Sequence, residues 1–430
     1  MLNWMRYIPE GTKDLLFDEC SEKIRIEEKL RYSYNACGFR DIITPTLEFY
    51  DVFNGDHTTI AQERMYKLFD NHGRIMVLRP DVTTPIARVT ATKLNEATFP
   101  MRFCYTSNVF RVNESMFGKA NEVTQSGVEI IGVNSVKADA ELIITGINAL
   151  RSCGLEDFKI EIGQAEFFKS LVEELNVDDE CRETIRRYVE DKNFITLEHY
   201  LRDKIRDYSE YKLRALREIP RLFGKIEVVE KARKLTSNKN ALEALDNIMQ
   251  VYSLIDKAGL GTYITIDLGM VQNMDYYSGI IFRAFTFGTG SYILSGGRYD
   301  ELIKSFGRDL PAIGFAIDID SLMTALQSRG HSNKKKDKYI VLYYTEELSN
   351  KAFQLSNLLR DNSYICEMSL FDSEEETLEY AAGKNVNTVM SLMEENQIRL
   401  YRYSKKWNHR DFDSEYLDNF FKETEKIDEE

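Results

Sequence analysis

The sequence predicts an α+β protein: one antiparallel sheet with flanking helices, broken by a helical insertion and followed by a small C-terminal α/β domain. Three observations carry that expectation. Short apolar runs bounded by Gly, Pro and Asn turns fill residues 39–163 and again 267–322, as strands do. Between them, about residues 165–258 are charged, helix-periodic and poor in strand signals, so a helical segment divides two parts of one sheet. From Tyr339 onward, strand-like and helix-like runs alternate. At 430 residues, 43% hydrophobic and 29% charged, the chain has apolar material for two or three cores. The expected division is a first domain over residues 1–328, a linker over 329–338 and a second domain over 339–430.

Residues 1–20 read as loop. Ser21 is expected to cap a helix reaching Ala36, with Ile24, Leu30 and Tyr34 near helical spacing and Gly38 ending it. Phe39 to Phe49 reads as a strand, and Pro45 puts it at an edge, a bulge or an interface. Met65–Phe69 and Ile75–Arg79 flank the turn Asp70-Asn71-His72-Gly73, a hairpin. Thr83 or Thr84 is expected to cap a helix through Lys93, with Pro85 at its first position. Strands at Phe103–Val112 and Glu122–Ile131 flank a polar loop, then come an amphipathic helix at Ala138–Ser152 and a strand at Lys159–Gly163.

After the insertion, Asp267–Leu322 carries Asp275-Tyr276-Tyr277, Ser295-Gly296-Gly297-Arg298-Tyr299-Asp300 and Gly314-Phe315-Ala316. Short strands broken by Gly, with polar groups on alternate residues, suit the floor of a small-molecule pocket. A helix from Asp320 to Gln327 follows, then the polar, basic stretch Ser328–Lys338. The last domain reads as strand Ile340–Tyr344, helix Ser349–Asp361, strand Ile365–Leu370, helix Glu374–Ala382 and strand Thr388–Met393.

The formal net charge of -14 weighs against a chain whose main task is gripping phosphate backbones. Its six cysteines are scattered with no C-x-x-C pair or Cys/His cluster, which gives no zinc or redox motif and no expected metal. No apolar run has signal-peptide form or approaches the roughly 20 residues of a membrane span, so a cytoplasmic protein without membrane contact is expected.

The motifs, in this order, resemble the histidyl-tRNA synthetases, class II aminoacyl-tRNA synthetases, over nearly the whole chain. Pro9-Glu10-Gly11 with Asp14 resembles the family's start, and Thr44-Pro45 with Glu48 resembles the motif 1 strand at a dimer interface. Leu78-Arg79-Pro80-Asp81-Val82-Thr83 resembles the LRPEGT segment, and Phe110-Arg111 with Gln125-x-Gly127-x-Glu129 resembles motif 2. The Tyr276-Tyr277 and Gly296–Asp300 segments resemble histidine-binding elements, and Gly314-Phe315-Ala316 resembles motif 3. The resemblance implies a class II sheet and a histidine-binding pocket made of Asp81, Thr83, Arg111, Gln125, Glu129, Tyr276 and Tyr277, with Arg111 the motif 2 arginine. Carboxylates and a Gln receive an α-ammonium, and Glu with Tyr can hydrogen-bond an imidazole.

Amino-acid activation brings a carboxylate onto the α-phosphate of ATP, so it needs preorganised positive charge, and Arg suits that task. The synthetase arginine before Asp-Tyr-Tyr is Gln272 here, and the motif 3 arginine is Ser321. The motif 2 glutamate position is Asn113, with Glu114 displaced by one, and the loop arginines are Lys119 and Asn121. Arg283 and Arg298 are the alternative sources of positive charge. Losing one such group costs roughly 10²–10³ in rate, so adenylation is expected to be absent.

The helix resembling the anticodon-reading one, Phe371–Tyr380, is acidic, and residues 338–430 hold 11 Lys+Arg against 20 Asp+Glu. That surface repels RNA, and Lys405-Lys406-Trp407 is a weak basic-aromatic candidate against it.

These departures resemble the regulatory subunits of ATP phosphoribosyltransferase. Asp81-Val82-Thr83-Thr84-Pro85-Ile86-Ala87-Arg88, Asn108-Val109-Phe110-Arg111, Asp275–Phe282 and Gly314–Asp320 are similar to that family's segments. The resemblance implies no chemistry or cofactor of the chain's own, a short-form catalytic subunit as partner, inhibition by histidine of the first step of histidine biosynthesis, and self-dimerisation through the motif 1-like region. An active histidyl-tRNA synthetase and a stand-alone histidine sensor are the alternatives.

Overall fold

The first helix, α1 (Phe17–Ala36), turns Ile26, Leu30 and Tyr34 onto the main core, one turn apart on one face. The computed structural model describes residues 4–55, 60–113, 120–204, 210–271, 276–329, 338–394, 397–404 and 406–413. In it α1 starts four residues before Ser21, and its first turn carries Asp18 and Glu19, which favour the helix dipole; Leu16 at the cap position offers no side-chain bond. The single strand expected over 39–49 is two: β1 (Arg40–Asp41) and β2 (Leu47–Phe49) belong to different sheets, with Pro45 at the break. The hairpin is present as β3 (Lys67–Phe69) and β4 (Ile75–Leu78), and β2-β4-β3 form a small separate sheet.

Helix α2 (Thr83–Lys93) is capped by neither threonine. Asp81 does it, taking the Thr84 backbone N–H at 2.8 Å and its hydroxyl at 3.2 Å, so Pro85 is the third residue and not the first. Strands β5 (Met101–Phe110) and β6 (Glu122–Ile131), helix α3 (Val136–Ser152) and strand β7 (Lys159–Gln164) follow the expected order.

The inserted segment holds α4 (Ala165–Glu173), α5 (Asp179–Glu190), α6 (Phe194–Lys204), α7 (Glu210–Glu218), the short β8 (Phe223–Gly224), α8 (Glu227–Arg233) and α9 (Lys239–Lys257). Its core is not separate. Phe167, Leu171, Ile185, Leu216 and Ile248 belong to the same buried cluster as Ile160, Phe282 and Phe315 of the sheet. Beyond it lie β9 (Ile264–Asp267), β10 (Ile280–Phe285), β11 (Leu294–Arg298), α10 (Asp300–Lys304), β12 (Ala312–Asp318) and α11 (Ile319–Gln327).

The main sheet has nine strands in the order β1-β5-β6-β12-β11-β10-β7-β9-β8. It is antiparallel apart from the β1–β5 and β7–β9 pairs. One face carries Val128, Ile130, Ile313, Phe315, Ile280 and Phe282 against α1, α3 and α9. The alternate residues make the other face, where the candidate site lies.

The chain divides into two compact units, Met1–His331 and Ser332–Glu430. Arg329 still belongs to the first, donating to the Asp157 carbonyl at 2.8 Å. The basic run Lys334-Lys335-Lys336 lies outside the described residues. The second unit holds β13 (Tyr339–Tyr343), α12 (Ser349–Asp361), β14 (Ile365–Met368), α13 (Glu374–Gly383) and β15 (Thr388–Leu392). A hairpin not expected from the sequence completes it: β16 (Gln397–Tyr403) and β17 (Trp407–Asp413) extend the sheet to the order β14-β13-β15-β16-β17. Trp407, half of the basic-aromatic candidate, packs its ring on Tyr401 and Tyr403, while Lys405 lies outside the described residues.

Arg79 joins the small sheet to the large one. Its buried guanidinium donates to the carbonyls of Asn108, at 2.9 Å, and Thr44, at 2.8 Å. Arg79→Met keeps most of the volume but strips both carbonyls of their partner. It is expected to destabilise the fold by about 2–4 kcal/mol in urea unfolding.

Candidate functional site

Strand register builds the floor of the site from small residues. One cross-strand row runs Phe103, Glu129, Gly314, Gly297, Ile281, Gly163; the next runs Tyr105, Gly127, Ala316, Ser295, Arg283, Glu161. Side chains alternate faces along a strand, so these rows share the face away from α3 and α9. The result is a trough, floored by glycine, alanine and serine, with Glu129 and Tyr105 on one side and Arg283 and Glu161 on the other. The glycines are required. A Cβ at Gly314 would collide with the Glu129 carboxylate, and one at Gly297 would stand 2.7 Å from the Tyr277 ring. One at Gly127 would stand 2.6 Å from the Tyr105 hydroxyl.

Glu129 is 1% exposed. Thr83 donates to one carboxylate oxygen at 2.7 Å and Tyr299 to the other at 2.5 Å. Burial pushes its titration up to about 8, against the pull of those two donors. Tyr276 stacks on Tyr299 with ring centres 5.6 Å apart and meets Tyr277 edge-on at 4.8 Å. Burial also holds Tyr105, Tyr276 and Tyr299 well above the usual phenol range, so they stay hydrogen-bond donors. Burial raises Asp81 too, and its two bonds to Thr84 and the nearby Arg111 pull it partly back.

The site residues expected from the sequence thus gather on one face with unequal duties. Thr83, Glu129, Tyr276 and Tyr277 cluster directly. Asp81 is adjacent but already caps α2. Arg111 donates to the Pro80 carbonyl at 2.8 Å. Gln125 lies further along the trough, in register with Ser107 and Asp318. Tyr105 and Tyr299 were not singled out individually. For Tyr105 the signal was available, since alternation along β5 puts it on the face of Phe103 and Val109; for Tyr299, nothing in the sequence marked its bond to Glu129.

The positions where synthetase charges are missing divide as well. Gln272, Asp275, Glu114 and Lys119 lie outside the described residues. Asn113 ties the base of the motif 2 loop, donating to the Ala120 carbonyl at 2.7 Å and accepting from Arg64 at 2.6 Å. Ser321 is the third residue of α11, its N–H held by the capping Asp318 at 2.8 Å, with Asp320 beside it in a 3.1 Å ion pair to Lys13. This end of the trough carries carboxylates. Arg298 offers nothing to it: its guanidinium is buried on the opposite face, bonded to Asp139 and, at 3.1 Å, to Asp300. A separate polar cavity of about 260 Å³ opens on that opposite face beside Arg298, Asp139, Asp300, Gln164 and Asn247. Among the described residues no group of His, Cys, Asp and Glu is arranged to hold a metal ion, and no helix is long and apolar enough to cross a membrane.

Residues 11–322 match the family model described as histidyl-tRNA synthetase. The fold is also that of a histidyl-tRNA synthetase from Nostoc sp. PCC 7120, with a TM-score of 0.81 over 97% of this chain and 99% of that one at 18% identity. An ATP phosphoribosyltransferase regulatory subunit from Clostridium kluyveri is 50% identical over 386 residues, covering 90% of this chain and 99% of that protein. The chain belongs to the ATP phosphoribosyltransferase regulatory subunit family. Within that family of synthetase-like proteins a solved structure from Bacillus halodurans C, titled ATP phosphoribosyltransferase regulatory subunit/histidyl-tRNA synthetase, has a TM-score of 0.81 at 30% identity. It covers 90% of this chain, and this chain covers 98% of it. For this family member, the α+β class, the class II-like sheet and the small C-terminal domain stand as expected from the sequence.

The raised Glu129 has a signed consequence. Below its ordinary value of 4.5 both folded and unfolded chains hold the proton, and its contribution to stability is fully present. Between 4.5 and about 8 the unfolded chain releases the proton while the folded chain keeps it, so stability falls as pH rises. Glu129→Gln removes this titration. Its melting temperature relative to wild type is expected to climb from pH 5 to about pH 8 and to level off above that, measured by differential scanning calorimetry.

Proposed function

We propose that this chain is the non-catalytic subunit of an ATP phosphoribosyltransferase: it binds histidine in the trough and conveys that occupancy to a short-form catalytic subunit as feedback inhibition. The observation that carries the reading is the unequal state of the two ends of one site. The carboxyl and tyrosine groups suited to an imidazole and an ammonium are packed and hydrogen-bonded, while at the nucleotide end Ser321, its N–H on Asp318 and next in sequence to the Lys13-paired Asp320, stands where the synthetases carry an arginine. Glu129, Thr83, Tyr276 and Tyr277 receive the imidazole, and Asp81 and Gln125 the ammonium, with Arg111 between Asp81 and Asp318. Inhibition is then linkage: histidine favours one state of the complex by its difference in affinity for the two.

The β2-β4-β3 sheet supports self-association through the motif 1-like region. It exposes Phe69 and neighbours Ile43, 74% and 91% accessible, with Leu47, Phe49 and Ile75 also at the surface. In the second unit, the exposed acids of α13 and its flanks disfavour RNA.

Mixing the pure chain with a short-form catalytic subunit is expected to produce phosphoribosyl transfer from two separately weak or inactive preparations, and histidine is expected to inhibit the mixture. Pure chain is expected to give no histidine-dependent exchange between ATP and pyrophosphate, and neither is the Gln272→Arg, Ser321→Arg double variant to charge tRNA. Exchange by the wild type, or charging by that variant, overturns the reading in favour of an active synthetase. Histidine binding without any complex favours a stand-alone sensor.

A further inference from the structure

The face of the sheet turned away from the trough has a recess of its own, the polar cavity of about 260 Å³ beside Arg298. We infer that this cavity is a second small-molecule site, separate from the trough, and that it takes a short-chain organic diammonium held by carboxylates from both the sheet side and the inserted helices.

The cavity lies where the two parts of the first unit meet. Arg298, Asp300 and Asp139 reach it from β11, α10 and α3, while Glu166 of α4 and Asn240 and Glu243 of α9 reach it from the insertion. Four carboxylates and one guanidinium are in its lining. That guanidinium is already spent: Asp139 accepts from its Nε and one Nη, and Asp300 from the other Nη at 3.1 Å. The buried amide beside it is satisfied too, since Gln164 donates to Asn247 at 3.1 Å and accepts the Glu166 N–H.

What the protein leaves in the cavity is acceptors without donors. Asp300 uses one oxygen for Arg298 and the Ala312 N–H, at 3.1 and 3.0 Å, and its other oxygen makes no hydrogen bond among the described residues. Glu166 takes the Ser170 hydroxyl at 2.9 Å on one oxygen, and its other oxygen likewise makes none. Both residues are half-buried, so these oxygens are partly shielded from water yet still within reach of a guest. Glu243 has Lys239, on its own helix, 3.6 Å away in an exposed pair. Asn240 makes no side-chain hydrogen bond among the described residues.

A guest that answers these groups has to donate hydrogen bonds and carry positive charge. An ammonium brings three donors and a full charge to a carboxylate, and a second ammonium lets one molecule serve the Asp300 side and the Glu166 side together. Ile280 and Ala244, both buried, add apolar lining for the methylene chain between them. The volume lies just under the roughly 300–1,000 Å³ of pockets for drug-sized ligands, which sets the guest at the size of a small diamine. A phosphate or carboxylate guest is repelled by the same lining.

Putrescine, butane-1,4-diol and succinate share a four-carbon length and differ in charge, so they test the chemistry directly. Titration calorimetry on the full chain at physiological ionic strength, where loose surface pairing is screened, is expected to show putrescine binding at least about tenfold more tightly than the diol, and succinate not binding. Glu166→Gln is expected to weaken putrescine about tenfold and the exposed Glu243→Gln about threefold. The ligand-free melting temperature checks the fold of each variant, and Glu243→Gln decides alone where Glu166→Gln lowers it. Equal binding of putrescine and the diol, or no binding of putrescine, overturns the site and marks a hydrated cleft. Unchanged putrescine affinity in the folded variants also overturns it, because the diamine then sits elsewhere on an acidic surface. All of this is read without histidine, so the outcome leaves the reading of the trough untouched.

Discussion

A carboxyl group deep in a sheet governs the arrangement around it. Glu129 cannot be packed against β12 unless residue 314 is glycine, and it cannot be buried without Thr83 and Tyr299 to satisfy its oxygens. Those two requirements fix the start of α2 on one side and the end of β11 on the other. Asp81 then has to cap α2 so that Thr83 is presented, and the tyrosines stack to fill what remains. An imidazole is a chemically sensible guest for a carboxyl held in this way, because it can accept or share the proton that burial keeps on Glu129.

The same sheet lays rows of small residues beneath the candidate site. The rows of small residues that let a substrate lie on the strands are all present. At the far end, Asp318 caps α11 through the Ser321 N–H and Asp320 is paired with Lys13. Phosphate recognition depends on several arginines acting at fixed points, whereas the Glu129 end is embedded in packing and hydrogen bonds.

Much of this was legible in the sequence because strand patterning and short motifs are local. Glu122–Ile131 was readable to the residue, and Gly314 and Gly297 marked the floor. The failures have physical causes. Phe39–Phe49 reads as one strand, and only the destination of each half, set by Pro45 and by distant partners, shows that it is two. Thr83 is a good cap by type, but Asp81 outcompetes it with a charged acceptor two residues earlier. The β16–β17 hairpin carries Arg399, Arg402, Arg410 and Asp411 among its strand residues and so lacks the clean alternation that announces a strand. Arg298, a candidate for anion binding by residue type, is one position out of phase for it: alternation along β11 sends it to the helices.

Arg298 and Tyr299 are neighbours in the chain with opposite destinations. The arginine reaches through to Asp139 on α3, whose carboxylate also engages Asn247 of α9, and the tyrosine reaches over to Glu129. A single peptide unit therefore acts as a fulcrum between the trough and the inserted helices. Any guest that shifts the Glu129–Tyr299 bond therefore acts next to the buried ion pair behind it, and through Asp139 on a helical insertion whose core is continuous with the sheet.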